Sequence, residues 1–354
     1  MLDVKQEIED WTKMTNPHKI KIVAHGIDTD GIVSHALLEK LERQANPGCE
    51  IEHHYVDYPN FEETLRAIIQ GGLEISKLHI ADMNANKRII DLLHFLKKRK
   101  VRCSYIDHHM GSINSQGILS GYCNTVLING DYCTSQLIAE SLSGSSDYLA
   151  RYLGKVAQAH DFSIPWENLE VGKQLQAIIT LRNHQPDPQK ALDEFVGDLI
   201  TGKTCKGGFG FVLNRDYQAE VEEFEAIREK ECRNLKRTAD HYIFSDGRVM
   251  VAGFASSYLY MKHGPAYLSE EFTNEDLHVV IFDRPTNDVI ISSHIPEWGE
   301  IVHEVCRKFG GGSREHPTAD GGMVYKGGFR LEKVPDKFNY AAEKIFEEID
   351  KCLG

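Results

Sequence analysis

The sequence holds no run of about 18 uninterrupted apolar residues, the length a helix needs to cross a bilayer, so no membrane-spanning role is expected. Nor does it hold a Cys-x-x-Cys pair. Its eight cysteines, at 49, 103, 123, 133, 205, 232, 306 and 352, are scattered, which fits reduced thiols and argues against a thiolate zinc site. Positive charge is in short supply: 40 lysines and arginines face 53 acidic residues, a formal net charge of −13. Grip on long nucleic acid comes mainly from cations that displace phosphate counterions. A long duplex partner is therefore not expected, and a nucleic-acid substrate would be short. The one dense basic run, Lys97-Lys98-Arg99-Lys100, falls where a helix should end before a strand and reads as cations complementing a helix C-terminus. The first residues, MLDVKQEIEDWTKMTNP, are acidic and polar where a secretory signal would be basic and then apolar, so a cytoplasmic protein is expected. Internal repeats and low-complexity tracts are missing too, which leaves no sign of a solenoid or a disordered arm.

What is present is a soluble-type composition, 41% apolar and 26% charged, over 354 residues. That length exceeds what one core comfortably fills, and two domains of roughly 150 residues are the natural expectation. The first half alternates short apolar runs with amphipathic segments, the pattern of a parallel sheet with crossover helices. Strands are expected at Ile20–Ala24, Lys77–Ala81 and Val101–Ile106, and helices at Ile32–Arg43 and from about Asn86 to Lys98. Helices should continue through Ser135–Leu142, Tyr148–Ala159 and Lys173–Asn183 until Gln185-Pro186-Asp187-Pro188 breaks the pattern. A long charged stretch, about Asp216 to Lys236, reads as a connecting helix. Short strands then follow at Tyr242–Phe244, Arg248–Ala252, His278–Phe282 and Val289–Ser293, before a glycine-rich segment at 310–322.

Acidic residues cluster after the expected strands, where open α/β sheets place their ligand crevice. The first cluster is His25-Gly-Ile-Asp28-Thr-Asp30-Gly31, between a strand and a helix. Two carboxylates one residue apart can face neighbouring positions on a tight turn, and a glycine lets the backbone come close to a bound group, although Asp and Gly also fill turns for conformational reasons. Asp82 ends a second strand, where a helix cap or turn residue is the plainer reading. Asp107-His108-His109 ends a third, and imidazole with carboxylate is a ligand set that suits manganese or iron. Asp161 closes a helix, where the dipole disfavours a negative charge unless a cation compensates it.

Taken in order, the D-x-D-G element, the lone aspartate, Asp-His-His and the later aspartate resemble the DHH phosphoesterase family, and the segment from Phe309 to Gly322 is similar to the glycine-rich, histidine-containing loop of its DHHA1 domain. The resemblance implies an α/β chain with a parallel-sheet DHH catalytic domain (1–185), a helical connector (186–239) and a smaller α/β DHHA1 substrate domain (240–354) that closes over the metals. It implies two Mn²⁺ ions per active site, with Mg²⁺ or Fe²⁺ as alternatives. His25, Asp28 and Asp82 would hold one, and Asp30, Asp82, His108 and Asp161 the other. Asp82 would be shared, His109 would lie by the substrate phosphate, and Asp107 would support the histidines. Gly310, Gly311, Gly312, Arg314 and His316 would bind substrate through backbone N–H groups and charge-assisted bonds.

The sequence departs from the family pattern in two places. His25 precedes Asp28 by three residues, where many members have two or four, and Ser313 to Glu315 intervene before His316. The strand that often carries a phosphate-gripping arginine reads Ile290-Ile291-Ser292-Ser293-His294, so that duty falls to Arg314, His294 or His316. The activity implied is hydrolysis of short oligonucleotides or linear dinucleotides such as pGpG to mononucleotides, at a two-metal site that activates water. A cyclic-dinucleotide phosphodiesterase and a non-hydrolytic nucleotide-binding regulator are the alternatives, and a homodimer is left open.

Overall fold

A computed structural model describes residues 19–71, 75–143, 146–164, 167–203, 214–256, 264–282, 287–317, 323–331 and 337–353. The first 18 residues and Cys205, used in the sequence reading, lie outside that set. The chain divides into two compact units, Met1–Val221 and Glu222–Gly354, and the division falls inside one helix.

The first unit is built on a five-stranded sheet. In chain order its elements are β1 (Lys19–His25), α1 (Thr29–Ala45), β2 (Glu50–Val56), α2 (Tyr58–Gln70), β3 (Ile75–Ala81), α3 (Lys87–Lys98), β4 (Arg102–Asp107), α4 (Met110–Tyr122) and β5 (Thr125–Ile128). Four helices follow: α5 (Thr134–Ser141), α6 (Tyr148–Asp161), α7 (Glu167–Asn183) and α8 (Pro188–Thr201). The strand order is β2-β1-β3-β4-β5, and every pairing is parallel. Successive strand residues face opposite ways. Ile22 and Ala24 join a core with α1 and α5 to α8, while Val23 joins one with α2, α3 and α4. The expected parallel sheet with helices on both faces is therefore the observed architecture.

Two features of this unit escape the apolar pattern. Strand β2 buries His53 among apolar neighbours, and it pairs with polar positions of α1: His53 Nε2 lies 2.8 Å from Glu39 Oε2, and its Nδ1 3.0 Å from His35 Nδ1. On β3, His79 Nε2 lies 2.9 Å from Glu42 Oε1, and Lys77 Nζ donates to the same oxygen at 2.5 Å. A histidine buried in the middle of a strand interrupts the apolar alternation by which a strand is read. The segment 185–188 breaks the helical pattern as expected, and a further helix follows it. Asp187 caps α8, accepting from Lys190 N at 3.1 Å, with Pro188 at the first helical position. The helix packs its Leu192, Phe195, Val196 and Leu199 into the same core as α1, so residues 188–201 belong to the body of the first unit. The basic run does end α3 as expected, and two of its members also tie down neighbouring backbone: Lys97 Nζ donates to Gly121 O and Arg99 Nη1 to Ile69 O, each at 2.6 Å.

Helix α9 (Arg215–Arg237) spans the division between the units. Strands β6 (Asp240–Ile243), β7 (Val249–Ala255), β8 (Leu277–Phe282), β9 (Asn287–Ser293), β10 (Gly312–Pro317) and β11 (Met323–Leu331) form the second sheet, in the order β10-β11-β9-β8-β7-β6. Only the β7–β8 pair is parallel. Helices α10 (Gly264–Glu271), α11 (Trp298–Lys308) and α12 (Lys337–Leu353) complete the unit, whose main core gathers Trp298, Val302 and Ile345 over the inward faces of β8 and β9. Among the described residues no helix is long and apolar enough to cross a membrane.

Candidate metal centre

The parallel register builds the site. Ala24 is level with Ala81, and Ala81 with Ile106, so His25, Asp82 and Asp107 come next in three adjacent strands at one edge of the sheet. Strand β1 lies between β2 and β3, so the chain leaves it in both directions. That is the switch point where open α/β sheets bind ligands beyond their carboxyl ends. At the end of β3, Asp82 takes a left-handed backbone, φ +53°, and donates its N–H to Ile106 O at 3.0 Å. Aspartate tolerates this conformation better than most residues.

The D-x-D-G element now has a physical reading. Asp28 is the N-cap of α1 and accepts from Gly31 N at 3.0 Å, while its other oxygen lies 2.5 Å from His25 Nδ1. A Cβ on Gly31 would sit 2.0 Å from His25 O, so the helix can start this close to the strand end only with glycine there. Asp30 is buried, and its carboxylate reaches across to another helix, accepting from Thr134 N at 2.8 Å, Ser135 N at 2.7 Å and Ser135 Oγ at 2.5 Å.

Around this frame the imidazoles face carboxylates. His108 Nε2 lies 3.4 Å from Asp82 Oδ1, 3.6 Å from Asp161 Oδ2 and 3.9 Å from Asp30 Oδ2. His25 Nδ1 lies 3.8 Å from Asp82 Oδ2, and among the described residues its buried Nε2 makes no well-formed hydrogen bond, with Asp57 Oδ1 3.5 Å away. His109 Nδ1 lies 2.8 Å from Asp107 Oδ1, and the second Asp107 oxygen is buried without a hydrogen bond among the described residues. Three groups of side chains could each surround a cation: His25, Asp28 and Asp82; Asp30, His108 and Asp161; and Asp82, Asp107, His108 and His109.

The electrostatics call for positive charge. Burial, followed by the charges of Asp30 and Asp28, pushes the Asp82 carboxyl well above the usual carboxylate range. Burial and then Asp30 raise Asp161 to about 6. Burial alone would lower the His25 imidazole, but Asp28, Asp57 and Asp82 outweigh it and hold it well above its ordinary value. Asp107 is the exception, kept below its ordinary value because His109 offsets the effect of burial. Among the described residues no lysine or arginine pairs with Asp30, Asp82 or Asp161. A mixed nitrogen and oxygen donor set with this surplus of negative charge fits divalent manganese, iron or magnesium.

The structure thus brings His25, Asp28, Asp30, Asp82, Asp107, His108, His109 and Asp161 together. It adds residues that the sequence reading missed. Asp57 faces the far nitrogen of His25, the arrangement in which a carboxylate orients a ligating imidazole. Tyr58, Thr134 and Ser135 also touch the site residues. The motif Asp57-Tyr-Pro-Asn60 was a readable signal: it forms a capping box with proline in the first turn of α2.

The glycine-rich segment differs from the loop expected. Gly312, Arg314 and His316 lie on strand β10, paired residue by residue with β11; residues 318–322 lie outside the described residues, and among the described ones of this segment only Gly310, at φ +74°, has a left-handed backbone. Gly311 is required by close packing, since a Cβ there would sit 2.1 Å from Gly328 O. The side chains of Arg314 and His316 lie outside the described residues. His294 Nε2 lies 3.2 Å from Ser269 Oγ.

No protein-family model matches the chain, and no curated protein matches it in sequence. Solved structures do match in fold. A DHH domain described as a member of the s1p family of ribosomal proteins has a TM-score of 0.58 at 14% identity, over 95% of this chain and 87% of its own. The pGpG-specific phosphodiesterase PggH from Vibrio cholerae has a TM-score of 0.53 at 10% identity, over 94% and 99%. Exonuclease RecJ bound to manganese has 0.52 at 13% identity, over 100% and 94%. The chain has the DHH fold over nearly its whole length.

Proposed function

We propose that this DHH-fold chain is a metal-dependent phosphodiesterase that hydrolyses short oligonucleotides or linear dinucleotides to mononucleotides. The observation that carries the reading is the convergence of five carboxylates and three imidazoles at the switch point of a parallel sheet, in three groups able to surround a cation. Likeness in fold to a pGpG-specific phosphodiesterase and to an exonuclease supports the phosphodiester class.

The donor groups fit two divalent cations, held by His25, Asp28 and Asp82 on one side and by Asp30, His108 and Asp161 with Asp82 on the other. Bound there, such ions would supply Lewis acidity toward the phosphate and a water nucleophile at neutral pH. The chain's own contribution is placement. Asp30 is held by the N-terminus of α5, Asp82 by the left-handed turn at the end of β3, and His25 between Asp28 and Asp57. His109 is held between Asp107 at its Nδ1, 2.8 Å away, and the Tyr58 hydroxyl at its Nε2, 2.9 Å away. In this reading Arg314 and His316 bind the substrate phosphate.

The acidic composition, net −13, favours short substrates over long ones because it offers little for a long backbone to bind. The test is a product assay on purified protein with Mn²⁺, offering pGpG, cyclic dinucleotides, RNA and DNA of graded length, and pyrophosphate. Dinucleotides and the shortest oligomers should be turned over fastest. A flat rate across lengths would move the assignment to a processive exonuclease, and turnover of pyrophosphate alone would end the phosphodiesterase reading.

A further inference from the structure

Tyr58 stands beside the metal centre and is half exposed as a residue, at 49%. A single exposed aromatic needs no explanation by itself, but three observations set this one apart. Its hydroxyl lies 2.9 Å from His109 Nε2. Its ring centroid is 5.5 Å from that of His25 and 6.0 Å from that of His109, edge-on to the latter at 90°. Its backbone is fixed as the first residue of α2: Asp57 accepts its N–H at 2.7 Å, Asp57 and Asn60 close a reciprocal capping box, and proline follows. Backbone cap and hydroxyl anchor together hold the ring in one orientation, as a panel between two imidazoles of the site.

A fixed, half-exposed aromatic ring is poorly used by a phosphate group and well used by a planar π-system. We infer that Tyr58 is the base-stacking residue of this centre: it receives the nucleobase of the nucleotide whose phosphate lies at the carboxylates, and so selects nucleotides over base-free phosphate esters. The inference rests on the reading of the site as one that handles nucleotide phosphodiesters, and it adds which residue recognises the base. The hydroxyl contact to His109 is the anchor that presents the ring; the stacking surface is the ring itself.

The test is calorimetric binding of a nucleoside 5′-monophosphate and of ribose 5-phosphate to the full chain with Mn²⁺, for the wild type, Tyr58→Phe and Tyr58→Ala, alongside steady-state kinetics on a dinucleotide. The wild type should bind the nucleotide more tightly than the sugar phosphate. Tyr58→Ala should lose roughly 5- to 150-fold in nucleotide affinity, the range of base–aromatic stacking, with ribose 5-phosphate unchanged. Tyr58→Phe should keep most of the preference. In kinetics the alanine variant should raise KM for the dinucleotide by a similar factor with kcat changed only a few-fold. A wild type without preference for the nucleotide, or an alanine variant that keeps the preference, overturns the inference. If the dinucleotide is hydrolysed with an unaltered KM by Tyr58→Ala, the stacking role falls and the phosphodiesterase reading stands. If no dinucleotide is turned over by the wild type but nucleotide binding depends on Tyr58, the hydrolytic reading falls and the stacking role stands.

Discussion

Asp30 caps a helix that begins 104 residues later: its carboxylate takes the N–H of Ser135 at 2.7 Å and its hydroxyl at 2.5 Å, with Thr134 N on the other oxygen at 2.8 Å. The residue before α5, Cys133, makes no side-chain cap of its own. Asp30 therefore satisfies the orphan donors of a distant helix while facing His108 across the candidate metal centre. Asp161 faces the same His108 nitrogen at 3.6 Å and caps no helix among the described residues.

The two aspartates should accordingly respond differently to removal of charge. Asp30→Ala strands buried donors and should lower the unfolding free energy by at least about 2 kcal/mol. Asp161→Asn should leave stability unchanged or raise it, because a carboxyl pushed up to about 6 by burial and by Asp30 is unfavourable when ionised. Urea denaturation of both variants in EDTA separates the cases, and equal losses would show that Asp30 is not a structural cap.

Divalent metal should stabilise the protein through Asp82. Addition of Mn²⁺ at about 100 times its dissociation constant should add about 2.7 kcal/mol to stability, read as a rise in Tm. Asp82→Asn keeps a side chain that tolerates the left-handed backbone at this position, yet it should abolish the manganese-induced rise and leave less than about a tenth of the hydrolytic rate. A variant that still responds to manganese with wild-type amplitude would remove Asp82 from the ligand set.

Gly31→Ala tests the packing of α1 on β1. The added methyl would sit 2.0 Å from His25 O and 2.7 Å from its Cβ, and the neighbour below is backbone that cannot rotate away. Overpacking of this kind costs about 1–3 kcal/mol, and the displaced His25 should weaken manganese binding as well. Thermal denaturation and metal titration read the two effects, and an alanine variant normal in both would mean that the strand end gives way freely.

The polar seam beneath α1 predicts a pH dependence independent of the metal centre. Burial would raise the Glu42 carboxyl, but the hydrogen bonds from His79 and Lys77 bring it down to about 2. A carboxyl lowered on folding contributes stability that is complete above its unfolded value, roughly 4.3, and is lost as pH falls toward the folded one. Burial lowers His79 despite its contact with Glu42, so the imidazole resists protonation in the fold and acid destabilises it in the same direction. Wild type should lose about 2 kcal/mol more than Glu42→Gln between pH 5 and pH 2.5. Parallel stability curves for the two proteins, measured by urea denaturation in EDTA, would contradict the assignment.

Much of the fold was legible because its signals are local. The apolar runs of β1, β3 and β4 and the helical periodicity of α3 sit in short windows, and the observed boundaries lie within a few residues of those read from the sequence. Strand β2 was not legible, since His53 is buried against Glu39 and His35 of α1 and interrupts the strand's apolar alternation. The glycine-rich segment misled for a related reason. Glycine at 311 answers a close approach of Gly328, a contact that no window of sequence contains, and the residues after it form a strand.

The sequence by itself determined the chemical vocabulary of this protein: Asp28, Asp30, Asp82, Asp107, His108, His109 and Asp161 stand at the ends of elements whose type local pattern and capping dictate, because periodicity and turn chemistry act over a few residues. Tertiary structure alone decided how they meet. The level register of β1, β3 and β4 sets His25, Asp82 and Asp107 in a row, Asp30 finds the N-terminus of α5, and Asp57 and Tyr58 close on His25 and His109. Those contacts depend on strand order and on the angle at which each helix returns to the sheet, which are set by the packing of the whole core and are written in no single segment.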